Sequence, residues 1–202
     1  MPEDETNMYY DEVQELTESI KFMEESVVDR INELVEVNNA LTNSEEQKEK
    51  MTVLAKVDSM TGVYNKRAYF EMEERLNQEI SKGHADFSIT MIDLNDLKIT
   101  NDTLGHEKGD ALIVKVVEVI KNTFIHSNVY RVGGDEFVVL SEGTDYKNIK
   151  KLEKEFKEFS KDISAAIGVA IYDSKIDNNV EDTFKRADRK MYENKKEMKG
   201  LK

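Results

Sequence analysis

The sequence has no cysteine and no tryptophan, and only one proline and nine glycines in 202 residues. Without cysteine there is no disulfide framework, no thiolate metal cage and no thiol nucleophile, which removes small secreted scaffolds, zinc ribbons and cysteine-dependent enzymes. Long apolar runs are missing too. None approaches the roughly 20 residues that cross a bilayer, and no apolar signal core follows Met1, so the expectation is a cytoplasmic chain with no membrane segment. Positive charge is scarce: 29 lysines and arginines face 42 acidic residues, a formal net charge of −13. Such a surface repels polyanions, and no basic stripe offsets it, so nucleic acid is not an expected partner.

The charge is unevenly spread. Residues 1–57 hold 15 acidic and 5 basic side chains, a balance of −10, leaving −3 for residues 58–202. The chain therefore reads as two units with different tasks. In the first, Val13, Leu16, Ile20, Met23 and Val27 step by threes and fours, and Ile31, Leu34, Asn38 and Leu41 resume after an extra four. That is a heptad seam with one stutter, and no proline or glycine interrupts residues 3–61. Asn38 falls at a core position, where a polar side chain fixes register. The expectation is a dimerisation helix of the coiled-coil type; the alternative is one amphipathic helix lying on its own domain. Residues 43–50 carry no apolar side chain and read as solvated helix or hinge.

The second unit, residues 58–202, is long enough to bury a real core. A helix with Tyr69, Met72, Leu76 and Ile80 on one face ends near Gly83, and Phe87 to Ile92 reads as a buried strand. An apolar helix follows Gly109 and runs to about Phe124. Two short strands, Val129–Val132 and Phe137–Leu140, flank Gly133-Gly134-Asp135-Glu136, a hairpin signal. A helix with Ile149, Leu152, Phe156 and Phe159 on one side follows, then a strand from Ile163 to Tyr172 and a last helix with Val180, Phe184, Ala187 and Met191. The order β-α-β-β-α-β, with a helix at each end, is the α+β ferredoxin-like or palm arrangement.

That topology carries a chemical expectation. The first two strands lie parallel and the third runs antiparallel between them, so the end of strand one and the hairpin turn share an edge. Asp93 closes strand one, and Asp135 and Glu136 sit in the turn. Three carboxylates should converge, and the usual reconciliation of such repulsion near neutral pH is a hard divalent cation. Mg2+ is the natural choice, and two ions could activate a hydroxyl and stabilise a departing pyrophosphate. A side chain at Gly133 or Gly134 is expected to strain the turn and to block a phosphate or ribose from the backbone. Taken alone, Gly-Gly-Asp is also an ordinary hairpin turn with a solvated acid.

Arg131-Val132-Gly133-Gly134-Asp135-Glu136-Phe137 resembles the signature of the GGDEF domain, the family of bacterial diguanylate cyclases that condense two GTP into cyclic di-GMP. Further blocks occur in order. Asp58-Ser-Met-Thr61-Gly62-Val-Tyr-Asn65-Lys66-Arg67 is similar to the family's opening block, and Asp93-Leu94-Asn95-Asp-Leu-Lys98-Ile-Thr-Asn101-Asp102-Thr-Leu-Gly105-His106-Glu-Lys-Gly109-Asp110 to its central block. Ala187-Asp188 through Met191-Tyr192 to Lys195 is similar to its closing helix.

The resemblance implies a division of labour. Asp93 and Asp135, with the Leu94 carbonyl, would hold Mg2+ or Mn2+, two per active site. Glu136 would complete the metal site or help to deprotonate the attacking 3′-hydroxyl. Asn101 and Asp110 would read guanine, although Asp110 could instead cap a helix beginning there. Lys98, Lys195 and Lys199 would neutralise the triphosphate, with Lys98 beside the catalytic acids Asp93, Asp135 and Glu136, and Gly133 and Gly134 would admit the substrate. Asp58, Asn65 and Arg67 are expected to organise the entry to the domain, Arg131 to brace the hairpin, and His106 to be packed or hydrogen-bonded rather than catalytic.

Departures from the family pattern carry their own expectations. Where many relatives have an inhibitory Arg-x-x-Asp, this chain has Phe124-Ile125-His126-Ser127, which implies no inhibitory product site there. Asn95 replaces a frequent Asp near the metals. Met198-Lys199 replaces the closing Gly-Arg, keeping the charge but losing a planar two-pronged donor. One domain would bind one GTP, so the reaction requires a homodimer, through the amino-terminal helix and transiently across two facing active sites. Two other readings stand beside the enzyme: a GGDEF module that binds GTP without turnover and acts as a regulatory scaffold, and a structural coiled-coil adaptor, which leaves the four blocks unexplained.

Overall fold

The computed structural model describes residues 3–160 and 163–200. The chain divides into two compact units, Met1–Leu54 and Ala55–Lys202. The first is one 52-residue helix, α1 (Glu3–Leu54). Its seam residues, from Val13 to Leu41, each expose between 46% and 65% of their surface. No helix among the described residues is long and apolar enough to cross a membrane.

In the second unit the elements run β1 (Tyr64–Asn65), α2 (Lys66–Ser81), β2 (Ser88–Leu94), α3 (Leu97–Leu104), α4 (His106–Thr123), β3 (Asn128–Arg131), β4 (Glu136–Ser141), α5 (Gly143–Lys147), α6 (Ile149–Phe159), β5 (Ala165–Ile171) and α7 (Val180–Met198). The sheet order is β1-β3-β4-β2-β5. Strand β4 lies between β2 and β3, antiparallel to both, and β5 pairs antiparallel with β2. The palm arrangement is therefore present, with a two-residue strand added where β1 pairs parallel with β3.

Interior position explains the character of β2. All seven residues of its Ser-Ile-Thr-Met-Ile-Asp-Leu run are buried, because helices cover both faces. Ile92 and Leu94 face a core with Ile113, Val116, Ile120 and Phe156 from α4 and α6. Ile89 and Met91 face one with Tyr69, Leu76, Ala187 and Met191 from α2 and α7. Asn65 and Asn179 cap α2 and α7, their side chains accepting from the N–H groups of Ala68 and Asp182.

Several boundaries differ from those read off the sequence. Helix α4 starts at His106, not after Gly109. Gly105, at φ +87, ends α3 and opens α4 in a single left-handed step. Gly109 lies inside α4 because Asn101 of α3 packs on it: a Cβ there would stand 1.9 Å from Asn101 Oδ1. Phe159 is exposed rather than part of the core, and the short helix α5 had no periodic signal at five residues.

Candidate active site

Strand pairing assembles the site. Asp93, the sixth residue of β2, lies directly opposite Glu136 at the start of β4. The Leu94 N–H donates to the Asp135 carbonyl at 3.0 Å, so the turn is tied to the strand end. Three carboxylates that the sequence scatters over more than forty residues thus share one end of the sheet.

The hairpin is held from its flank. Arg131 donates to the Gly134 carbonyl at 2.8 Å and to Asp58 Oδ1 at 3.1 Å. Asp58 Oδ1 also accepts from the Thr61 N–H and hydroxyl. Asn65 Nδ2 donates to the Ala55 carbonyl at 2.8 Å. Asp58, Asn65 and Arg131 are therefore structural braces, whereas Arg67 makes only an exposed pair with Glu71. The glycine pair works differently from expectation. Neither Gly133 nor Gly134 has a positive φ, so turn strain is not the reason for them. A Cβ on Gly133 would meet Glu136 Oε2 at 2.4 Å, and Gly134 faces open space. The first keeps Glu136 in place and the second leaves room.

The acids are placed at an energetic cost. Asp93 is 7% exposed. Burial pushes its carboxyl above the ordinary range and Asp135 adds to this, while Lys195 and Lys199 pull the other way. Glu136 is raised as well, by burial first and then by Asp135, Asp93 and Asp188. Asp188 is the site acid that sequence reasoning left without a role. Its spacing of seven from Lys195, two helical turns, could have placed both on one face of α7. A cavity of about 580 Å3 lies beside these acids, lined by Tyr69, Phe70, Met91, Glu136, Phe184 and Asp188 among others.

The lysines divide. Lys195 Nζ sits 2.5 Å from Asp93 Oδ1, and Lys199 Nζ lies 3.0 Å from Asp96. Lys98 is exposed on α3 and makes no ion pair among the described residues. Asn101 and Asp110 sit on packed helices, α3 and α4. Asn101 Oδ1 is buried without a hydrogen-bond partner, while Asp110 is exposed inside α4 and so is not its cap. His106 is exposed at the first turn of α4, not packed. In the Phe124–Ser127 window Phe124 is core, and the His126 N–H and Ser127 hydroxyl donate to Asp145.

Among the described residues no three acidic or imidazole side chains are close enough to form a ready metal cage. The donor set nevertheless fits a hard divalent cation. It consists of carboxylate oxygens and the Leu94 carbonyl, its acids repel one another, and Asn95 at the same strand end carries a buried, unpartnered Oδ1.

The structure is thus a palm sheet with acids gathered at the end of an interior strand, beside an arginine-held hairpin. Comparison with known proteins makes that specific. The family profile "Diguanylate cyclase, GGDEF domain" matches residues 55–200, and the chain belongs to this family. It is 33% identical over 144 residues to the probable diguanylate cyclase DgcJ of Escherichia coli K12, covering 68% of this chain and 29% of that protein. It is 28% identical over 180 residues to a diguanylate cyclase of Vibrio cholerae, covering 81% of this chain and 54% of that one. The chain thus spans less than a third of the first relative and about half of the second. Among solved structures, the diguanylate cyclase SiaD of Pseudomonas aeruginosa, in complex with its activator SiaC, superposes with a TM-score of 0.71 at 18% identity, covering 95% of this chain and 78% of that one. The coiled coil and GGDEF domain of DgcB from Caulobacter crescentus, in complex with c-di-GMP, gives 0.70 at 20%, covering 83% and 94%. At these identities the likeness shows the fold.

Proposed function

We propose that the chain is a diguanylate cyclase, joining two GTP into cyclic di-GMP with release of two pyrophosphates. The observation that carries this reading is the pairing of buried Asp93 with Glu136 across β2 and β4, beside Asp135. Family membership and the names of the relatives support it.

In the proposed mechanism Asp93, Asp135 and the Leu94 carbonyl would hold two Mg2+ or Mn2+ ions, with Glu136 completing the site. Bound there, the ions would polarise the 3′-hydroxyl and neutralise charge developing on the leaving pyrophosphate. Alternatively, Glu136 would help to deprotonate the attacking 3′-hydroxyl. The O3′ would bond to the α-phosphorus of the facing GTP as the bond to the bridging pyrophosphate oxygen breaks, and the second half-reaction would repeat this with the two nucleotides' roles exchanged, releasing the second pyrophosphate. The orphaned Asn101 Oδ1 awaits a donor, which the guanine exocyclic amine can supply, and Asp110 would accept from N1. Lys98, Lys195 and Lys199 would meet the triphosphate, and Gly133 and Gly134 would leave it room.

One domain holds half of the reaction. The exposed seam of α1 supports a second copy of this chain as partner: pairing would bury the stripe and raise the effective concentration of two active sites. The test is incubation of the protein with GTP and Mg2+ or Mn2+ and chromatography for cyclic di-GMP and pyrophosphate. Asp135→Asn and Glu136→Gln should lose product. A chain starting near Val57 should keep GTP binding but lose turnover at nanomolar protein. GTP binding without product from the full-length protein would support the regulatory-module reading instead.

A further inference from the structure

The position of Lys195 is the one that departs most from its expected task. The family resemblance implies a phosphate ligand, yet its ammonium lies on Asp93, the acid proposed as a metal ligand, at 2.5 Å. One turn further along α7, Lys199 holds Asp96. The helix that carries them is fixed. Arg186 donates to the Ile171 carbonyl, Lys190 donates to the Val169 carbonyl at 2.7 Å, and Asn194 accepts from the Ile167 N–H at 3.0 Å. Three side chains four residues apart on a helix span about 6 Å per step. Alternate residues of a strand span nearly the same, so the ladder pins α7 in register along the outer edge of β5.

With its backbone pinned in this way, Lys195 can change partner only by swinging its side chain. We propose that Lys195 is a placeholder cation: it neutralises Asp93 and hands it over only when a triphosphate is there to receive the ammonium, so that divalent metal and nucleotide bind as a coupled pair. This rests on the proposed assignment of Asp93 as a metal ligand. Physically, metal alone must displace an ammonium from a buried carboxylate and leave that ammonium unpaired, whereas metal arriving with a nucleotide exchanges one ion pair for two.

Mn2+ binding without nucleotide, followed by electron paramagnetic resonance of the free ion, tests this on the full chain. Lys195→Met should bind Mn2+ alone at least about fivefold more tightly than the unaltered protein, the lower end of ordinary coupling between sites. The same variant should bind Mn2+ with a non-hydrolysable GTP analogue more weakly than the unaltered protein. Lys195→Arg, which keeps a cation, should return both values toward those of the unaltered protein, and a matching thermal melt checks that each variant is folded. If Lys195→Met binds Mn2+ alone no more tightly than the unaltered protein does, the lysine serves phosphate only and the proposal is overturned. If Asp93→Asn leaves metal binding intact in both backgrounds, the metal assignment beneath it fails, a different and separable result.

Discussion

Gly168 lies where β5 passes beneath α7, and its replacement by alanine is the sharpest test of how the site is supported. A Cβ there would stand 2.1 Å from the Met191 nitrogen and 2.2 Å from the Ala187 carbonyl oxygen. Both are helix backbone and cannot rotate aside. Ordinary contact begins at 3.4 Å, so α7 must withdraw by about 1.3 Å. Overpacking of this kind costs roughly 1–3 kcal/mol. Withdrawal also stretches the three bonds from Arg186, Lys190 and Asn194, each worth about 1 kcal/mol. Alanine recovers about 1 kcal/mol of chain entropy relative to glycine. The net loss is roughly 3–5 kcal/mol, a large part of the ~5–15 kcal/mol that holds a typical domain together. Urea unfolding of the unaltered protein and Gly168→Ala reads it directly, with Ala170→Gly on the same face of β5 as a control expected to cost about 1 kcal/mol. A Gly168→Ala loss under 1 kcal/mol would mean that α7 does not bear on the strand as described.

Other positions separate function from stability. Gly109→Ala should raise helix stability by up to ~1 kcal/mol yet push Asn101 from its seat, weakening GTP binding about tenfold by calorimetry; undiminished binding would remove Asn101 as a guanine contact. Glu136 is an acid raised in the fold, so its ionised form costs stability above the raised pKa, and that cost fades as pH falls, vanishing below the ordinary 4.5. In EDTA, Glu136→Gln should therefore melt a few degrees higher than the unaltered protein at pH 8 and equally at pH 4, while losing turnover; equal melts at pH 8 would contradict it. Asp177 shows the opposite sign. Burial alone would raise it, but Arg186, the Asp173 N–H and Thr183 outweigh burial and lower it. Its contribution is full above about pH 4 and is lost as pH falls below 3.8 through the depressed value. Asp177→Asn should cost about 3 kcal/mol at pH 7, with the difference shrinking in acid; parallel pH profiles would rule out the ion pair as the cause.

The gathering of Asp93, Asp135 and Glu136 at one end of the sheet was legible because β4 lies beside β2 and the hairpin turn falls at the end of β2, although the register that sets residue 93 opposite residue 136 came only from the structure. The core faces of α2 and α7 were legible for a similar reason, their apolar spacing being strongly helical. What stayed hidden depends on distances between elements. Gly109 reads as a break in a chain of letters, and only the neighbour pressed against it reveals a contact inside a helix. Lys195 reads as a phosphate ligand because nothing in its local sequence reports a buried carboxylate 102 positions away. The side-chain ladder of α7 could not be seen until β5 was known to be an outer strand, since a spacing of four on a helix acquires meaning only beside alternate residues of an edge.

That ladder has a consequence for how the domain meets other chains. An uncovered sheet margin invites another chain to add a strand, and repeated encounters at high local concentration give aggregation its opportunity. Here Arg186, Lys190 and Asn194 take up the outward amide and carbonyl groups along one margin. At the other, residues 56 and 57 fold back onto the two-residue strand β1. With these groups engaged, fewer backbone donors and acceptors on either border are left for an added strand.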